Sequence, residues 1–137
     1  MAERGDAGHT GGMGGVLYFD GDCGMCTRSV HALASRQRTG DLQIAPFQKA
    51  GTAALLGVDD ETMTGAAWWL DHTGAVYRGA EAVNAAVSAS YGSRIPLWVY
   101  RVPGIRQLED AVYRWIAAHR YRFPGATPHC AARPGDC

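Results

Sequence analysis

The sequence has no surplus of charge of either sign: 13 Lys and Arg residues balance 13 Asp and Glu. With a pI near 6.9 it lacks the basic face that a nucleic-acid partner demands. No apolar run reaches the roughly 18 residues that span a bilayer, so no membrane partner is expected. The N-terminal stretch holds no apolar core of signal-peptide type. Gly, Ala, Asp and His dominate it, and residues 1–14 read as a flexible tail. A cytoplasmic location is the expectation. In that reducing compartment a close cysteine pair is more often catalytic or metal-binding than a structural staple. No internal repeat is visible, and the five histidines show no H-E-x-x-H or paired spacing, so none is assigned to a metal. What is present is a 137-residue chain, 47% hydrophobic, with room for one cored domain and not two. Residues 15–123 are expected to form it, with 124–137 a Pro/Gly-rich C-terminal tail.

Local patterning gives a run of elements. Gly15, Val16, Leu17, Tyr18 and Phe19 form a short, β-prone apolar strand that ends in the turn Asp20-Gly21-Asp22. A helix over about 23–38 follows, with Cys26, Val30, Leu33, Ala34 and Gln37 on one face and Asp22 as its expected N-cap. A second strand covers 42–47 and a short helix 50–56. Residues 59–62 read as a polar surface connection. Ala66, Ala67, Trp68, Trp69 and Leu70 form a third strand whose adjacent tryptophans face opposite sides. The turn Asp71-His72-Thr73-Gly74 leads to a hairpin partner over 75–78. A helix over 80–89 should turn Val83 and Val87 inward. The segment 97–100 has no defined form, and a last helix over 105–119 carries the apolar stripe Ile105, Leu108, Val112, Trp115 and Ile116. The order β-α-β-α-β-β-α-α predicts an α/β, thioredoxin-like three-layer sandwich: a central mixed sheet of about four strands flanked by helices.

Cys23-Gly24-Met25-Cys26 stands at the start of the first helix. Thiol–disulfide exchange needs one thiolate to attack and a second thiol within reach to release the mixed disulfide. At a helix N-terminus, unpaired N–H groups and the dipole favour the anion of the first sulfur. Cys23 is therefore the expected nucleophile, on an exposed first turn, and Cys26 the more buried resolving thiol. Asp20 and Asp22 flank the pair, as turn and capping residues or as groups that tune its ionisation. Their negative charge opposes the thiolate and favours a reductase over a disulfide donor. Arg114, His119, Arg120 and Arg122 read as a basic complement to the last helix's C-terminus. Cys130 and Cys137 read as spectator thiols. Two rival readings stand beside the enzyme. One is a zinc-binding module using Cys23 and Cys26 with His129, Cys130 or Cys137. The other is a non-catalytic interaction domain.

The stretch Tyr18-Phe19-Asp20-Gly21-Asp22-Cys23-Gly24-Met25-Cys26 resembles the signature of the DCC family, predicted thiol–disulfide oxidoreductases of the thioredoxin-like superfamily. Phe19 fills the aromatic position directly before the Asp. Asp71-His72-Thr73-Gly74 with Tyr77-Arg78-Gly79-Ala80-Glu81-Ala82, and Tyr113-Arg114-Trp115-Ile116-Ala117 with Arg120-Tyr121, are similar to the family too. The resemblance implies a disulfide reductase, or a related exchange activity, with Cys23 and Cys26 as the redox pair. The resemblance names no substrate; the partners expected are disulfide-containing proteins or small thiols such as glutathione. No organic cofactor and no metal are expected, and the chain should act as a monomer. One departure from the wider thioredoxin pattern is the absence of proline before the third strand, in Thr64-Gly65-Ala66-Ala67. A non-proline cis bond costs about 2.5–4 kcal/mol, so this loop should be trans.

Overall fold

The computed structural model describes residues 14–123 and 125–137. Of the expected N-terminal tail only Gly14 lies among them. Four strands form one sheet among the described residues: β1 (Gly15–Phe19), β2 (Leu42–Pro46), β3 (Trp68–Asp71) and β4 (Val76–Arg78). Their order is β2-β1-β3-β4, with β1 and β2 parallel and the other neighbours antiparallel. The mixed sheet is therefore the one expected. Gly15 opens the central strand because nothing larger fits. A Cβ there would lie 2.5 Å from the Leu70 carbonyl oxygen and 2.7 Å from the Trp69 ring.

Alternation along the strands feeds two cores. Leu17, Phe19 and Trp69 pack on one face of the sheet with α1 (Gly24–Arg36) and α4 (Ala80–Tyr91). Tyr18 and Trp68 pack on the other, with Leu56 of α2 (Thr52–Leu56) and Met63 of α3 (Asp60–Met63). The two tryptophans do face opposite sides, and three layers result.

Several local expectations change. Residues 59–62 are not a plain connection: the Asp59 carboxylate accepts from the Thr62 N–H at 2.7 Å and caps α3. On α4 the inward face is Ala82, Ala85, Ala86 and Ala89, while Val83 is exposed. Small side chains let that helix lie close against the sheet; Val83 turns outward and Val87 is half-buried. The segment without defined form is the helix α5 (Ile95–Tyr100), with Pro96 in its first turn.

The last long helix, α6 (Ile105–Ala118), has no buried residue. Its apolar stripe points outward, with Leu108 64% and Trp115 57% exposed. The flank that meets the domain is polar. Glu109 accepts from Asn84 at 2.8 Å, Asp110 from the Tyr100 hydroxyl at 2.7 Å, and the Tyr113 hydroxyl from the Ala67 N–H at 2.9 Å. Hydrogen bonds rather than apolar burial choose which face docks. No helix among the described residues is long and apolar enough to cross a membrane.

The C-terminal segment folds as well, with a short helix α7 (His129–Ala132) and a 3₁₀ turn (Pro134–Asp136). Cys130 and Cys137 are not spectator thiols; they form a disulfide. Residues too far apart to signal one another locally hold the segment in place: the His129 N–H donates to the Thr27 hydroxyl at 3.1 Å and the Cys130 N–H to the Gly21 carbonyl at 2.9 Å.

Candidate functional site

Strand β1 ends in a turn closed by the Cys23 N–H on the Asp20 carbonyl, 3.1 Å. That turn sets the start of α1 one residue later than expected, so Cys23 and not Asp22 is the N-cap. The Cys23 backbone is extended, and its Sγ accepts the Cys26 N–H at 3.2 Å. The sulfur thus takes the role that a Ser or Asp oxygen takes at other helix starts, satisfying one of the unpaired first-turn donors. Asp22 is left exposed, its carboxylate reached by Gln48 Nε2 at 3.3 Å.

Asp20 is buried, and four donors converge on it. Oδ1 accepts from the Asp22 N–H at 3.0 Å and from Gln48 Nε2 at 2.8 Å. Oδ2 accepts from the Tyr121 hydroxyl at 3.0 Å and pairs with Arg120 Nη2 at 2.9 Å. Arg120 is therefore not a complement to the helix terminus. It reaches back to the turn that carries the dithiol. The fields of this pair act on Cys26, whose thiol is pushed up to about 12. Burial is the main cause; the hydrogen bond and charge of Cys23 and the Asp20 carboxylate add to it, and Arg120 opposes them. Burial also raises the Tyr113 hydroxyl, with the charge of Cys26 adding to the effect. Tyr113 holds the Ala67 N–H while the Ala67 carbonyl accepts from Gly79 at 2.9 Å, so both polar groups of this loop are already paired. No peptide bond among the described residues is cis, as the missing proline predicts. An open apolar groove of about 420 Å³ runs beside Met25, between α1 and α6, lined also by Arg28, Ser29, Ala32, Ile116 and Phe123.

Exposure of the sulfurs is the reverse of the expectation. Cys23 has none of its surface exposed, whereas Cys26 is only half-buried. The reason lies in the C-terminal segment, which crosses the turn. The Ala126 N–H donates to the Gly24 carbonyl at 3.2 Å, and a Cβ on Gly125 would collide with the Gly24 and Met25 backbone. Beyond it, His129 sits edge-on against Phe19, with ring centroids 5.3 Å apart, and stacks on His31. His129 Nε2 donates to Asp136 Oδ2 at 2.7 Å, leaving Nδ1 to accept from His31 Nε2 at 3.1 Å. The ligands that a zinc site would need are thus otherwise engaged. Cys130 and Cys137 bind each other, His129 has both nitrogens paired, and no group of three or more metal-ligating side chains forms among the described residues.

The structure brings Cys23, Cys26, Asp20 and Asp22 together and adds Gln48, to which sequence reasoning assigned no role. It gives contacts to Tyr113 and Tyr121, named from the sequence only in a family-like stretch, and pairs Arg120 with Asp20 rather than with the helix terminus. The signal for Tyr113, Arg120 and Tyr121 was the family-like stretch Tyr113 to Ala117 with Arg120-Tyr121 behind it.

A mixed sheet between two helical layers, with a Cys-x-x-Cys pair opening the first helix, defines a thioredoxin-like thiol–disulfide exchange domain. A family model for the DCC1-like thiol-disulfide oxidoreductases matches residues 17–126, and the chain belongs to that family. No curated protein and no solved structure matches it.

Proposed function

We propose that this chain is a protein-disulfide reductase in which Cys23 is the nucleophile and Cys26 the resolving thiol. The observation that carries the assignment is the Cys26 N–H aimed at Cys23 Sγ, 3.2 Å away, at the cap of α1. That geometry gives Cys23 Sγ a main-chain hydrogen-bond donor at the first turn of the helix. Cys26, held protonated by burial, is unsuited to attack first.

The Cys23 thiolate attacks one sulfur of a substrate disulfide. A bond forms between Cys23 Sγ and that sulfur as the substrate S–S bond breaks, and the other substrate sulfur leaves as a thiolate and takes up a proton. Cys26 then loses its proton and attacks Cys23 Sγ, releasing the second substrate thiol and leaving a Cys23–Cys26 disulfide. Two electrons pass from the dithiol to the substrate, and two equivalents of an external thiol restore the dithiol as they are oxidised to their own disulfide. Disulfide-bearing proteins or small thiols of the glutathione type are the partners assigned, met by a monomer in a reducing compartment such as the cytoplasm. For a polypeptide, the groove beside Met25 offers apolar surface next to the pair.

The test is reduction of a disulfide-bonded reporter protein by excess thiol, with and without the chain. Cys23→Ser should abolish the acceleration, and Cys26→Ser should accumulate a mixed disulfide at Cys23. Full activity in Cys23→Ser would overturn the assignment.

A further inference from the structure

We propose that residues 125–137 are a disulfide-locked cover over Cys23, and that opening the Cys130–Cys137 bond with a small-molecule thiol is the step that admits substrate. The inference rests on Cys23 as the attacking sulfur. A nucleophile with no exposed surface meets no external disulfide, and here the C-terminal segment bonds to the chain both before and after it in sequence. Cys130 binds Gly21, two residues before Cys23; Ala126 binds Gly24, one residue after; His129 binds Thr27, one helical turn on. The approach is close enough to need glycine at three places. A Cβ on Gly21 would meet Cys130 Sγ at 2.5 Å, one on Gly24 would meet the Ala126 oxygen at 2.6 Å, and one on Gly125 would overlap Gly24.

The lock lies directly behind the cover. Cys130 and Cys137 close a short loop that holds Asp136 against His129, and Asp136 also faces Lys49 Nζ at 4.0 Å. The family match stops at residue 126, so the lock lies beyond it. Cys137 is exposed and Cys130 half-buried against Gly21, so an external thiolate attacks the Cys137 sulfur. A bond forms between that thiolate and Cys137, the Cys130–Cys137 bond breaks, and Cys130 leaves as a thiolate and takes up a proton. A second thiol molecule attacks the bound thiol's sulfur and frees Cys137. Two thiols are oxidised to their disulfide as the lock gains two electrons and two protons. The loop then regains its freedom, and the contacts at Gly21, Gly24 and Thr27 open more often.

The test reads access to Cys23 rather than turnover. In a Cys26→Ser background with the lock closed, confirmed by intact mass, the alkylation rate of Cys23 is measured with iodoacetamide and peptide mapping. Adding Cys130→Ser with Cys137→Ser should accelerate it by roughly tenfold or more. Gly125→Ala, with the lock intact, should act in the same direction by lifting the cover off Gly24, which guards against a serine variant that fails to fold. Rates within about twofold across all three proteins overturn the proposal, since a thiol that is equally reachable has no lock. If alkylation accelerates but the opened wild-type chain reduces no disulfide, the cover stands and the reductase assignment falls. If the wild type, in a single turnover with no added thiol, reduces a reporter equally with the lock closed and open, the reductase stands and the cover falls.

Discussion

The Asp20–Arg120 pair offers the sharpest check on how the site is held, through Arg120→Gln. Its oxygen and nitrogen lie 2.9 Å apart, and the two side chains are only 7% and 20% exposed, which places the pair in the buried regime. At an effective dielectric of about 20 the gross attraction at that distance is roughly 6 kcal/mol, most of it offset by desolvation of both ions. Removing one partner of a buried pair typically costs about 3–5 kcal/mol, because the other charge is left behind. Asp20 keeps three donors, from Asp22, Gln48 and Tyr121, so the expected loss is lower, about 2–4 kcal/mol. Urea unfolding of Arg120→Gln, Asp20→Asn and the double variant measures this. The double variant should lose clearly less than the sum of the two, since it leaves no orphaned charge. The same proteins carry an independent readout in Cys26, which Asp20 pushes up and Arg120 pulls down. Asp20→Asn should lower the pH at which Cys26 reacts, and Arg120→Gln should raise it. A cost below about 1 kcal/mol for Arg120→Gln, the range of solvent-exposed pairs, would refute this account of the site. So would strict additivity in the double variant.

Tyr113→Phe removes the acceptor of the Ala67 N–H and should destabilise the chain by about 1–3 kcal/mol in the same urea assay. Gly15→Ala forces a Cβ against the Leu70 carbonyl and the Trp69 ring in the central strand, where overpacking typically costs about 1–3 kcal/mol. An unchanged unfolding midpoint would show that β1 and β3 shift apart freely. Cys26 is raised from an ordinary 9.0 to about 12 in the folded chain, so its contribution to stability is full below pH 9 and is lost as pH rises towards 12. The unfolding free energy of wild type should therefore fall more steeply than that of Cys26→Ser across that window. Parallel slopes would contradict the burial assigned to this thiol.

The elements that could be read from the sequence are those set by neighbours. Alternation placed Trp68 and Trp69 in opposite cores, and the missing proline at Ala66 foretold a trans loop. Periodicity found α6 but could not orient it. An apolar stripe reports that a helix is two-faced, and the docked face was chosen by Glu109, Asp110 and Tyr113 through partners far away in the chain. The cap of α1 moved by one residue because the Asp20 carboxylate and carbonyl take the Asp22 and Cys23 N–H groups and close the preceding turn. The surroundings of the dithiol were least legible. Tyr121 meets Asp20 across 101 positions and His129 meets Thr27 across 102, and no window of neighbouring residues encodes such contacts. A Pro/Gly-rich stretch read alone lacks the apolar content to order itself. It is ordered here because its partners, a bare glycine backbone at Gly21 and Gly24 and a threonine hydroxyl, are supplied by the turn and first helix of the redox site. The same glycines leave the Cys23 turn bare enough for the chain's own end to lie against its backbone.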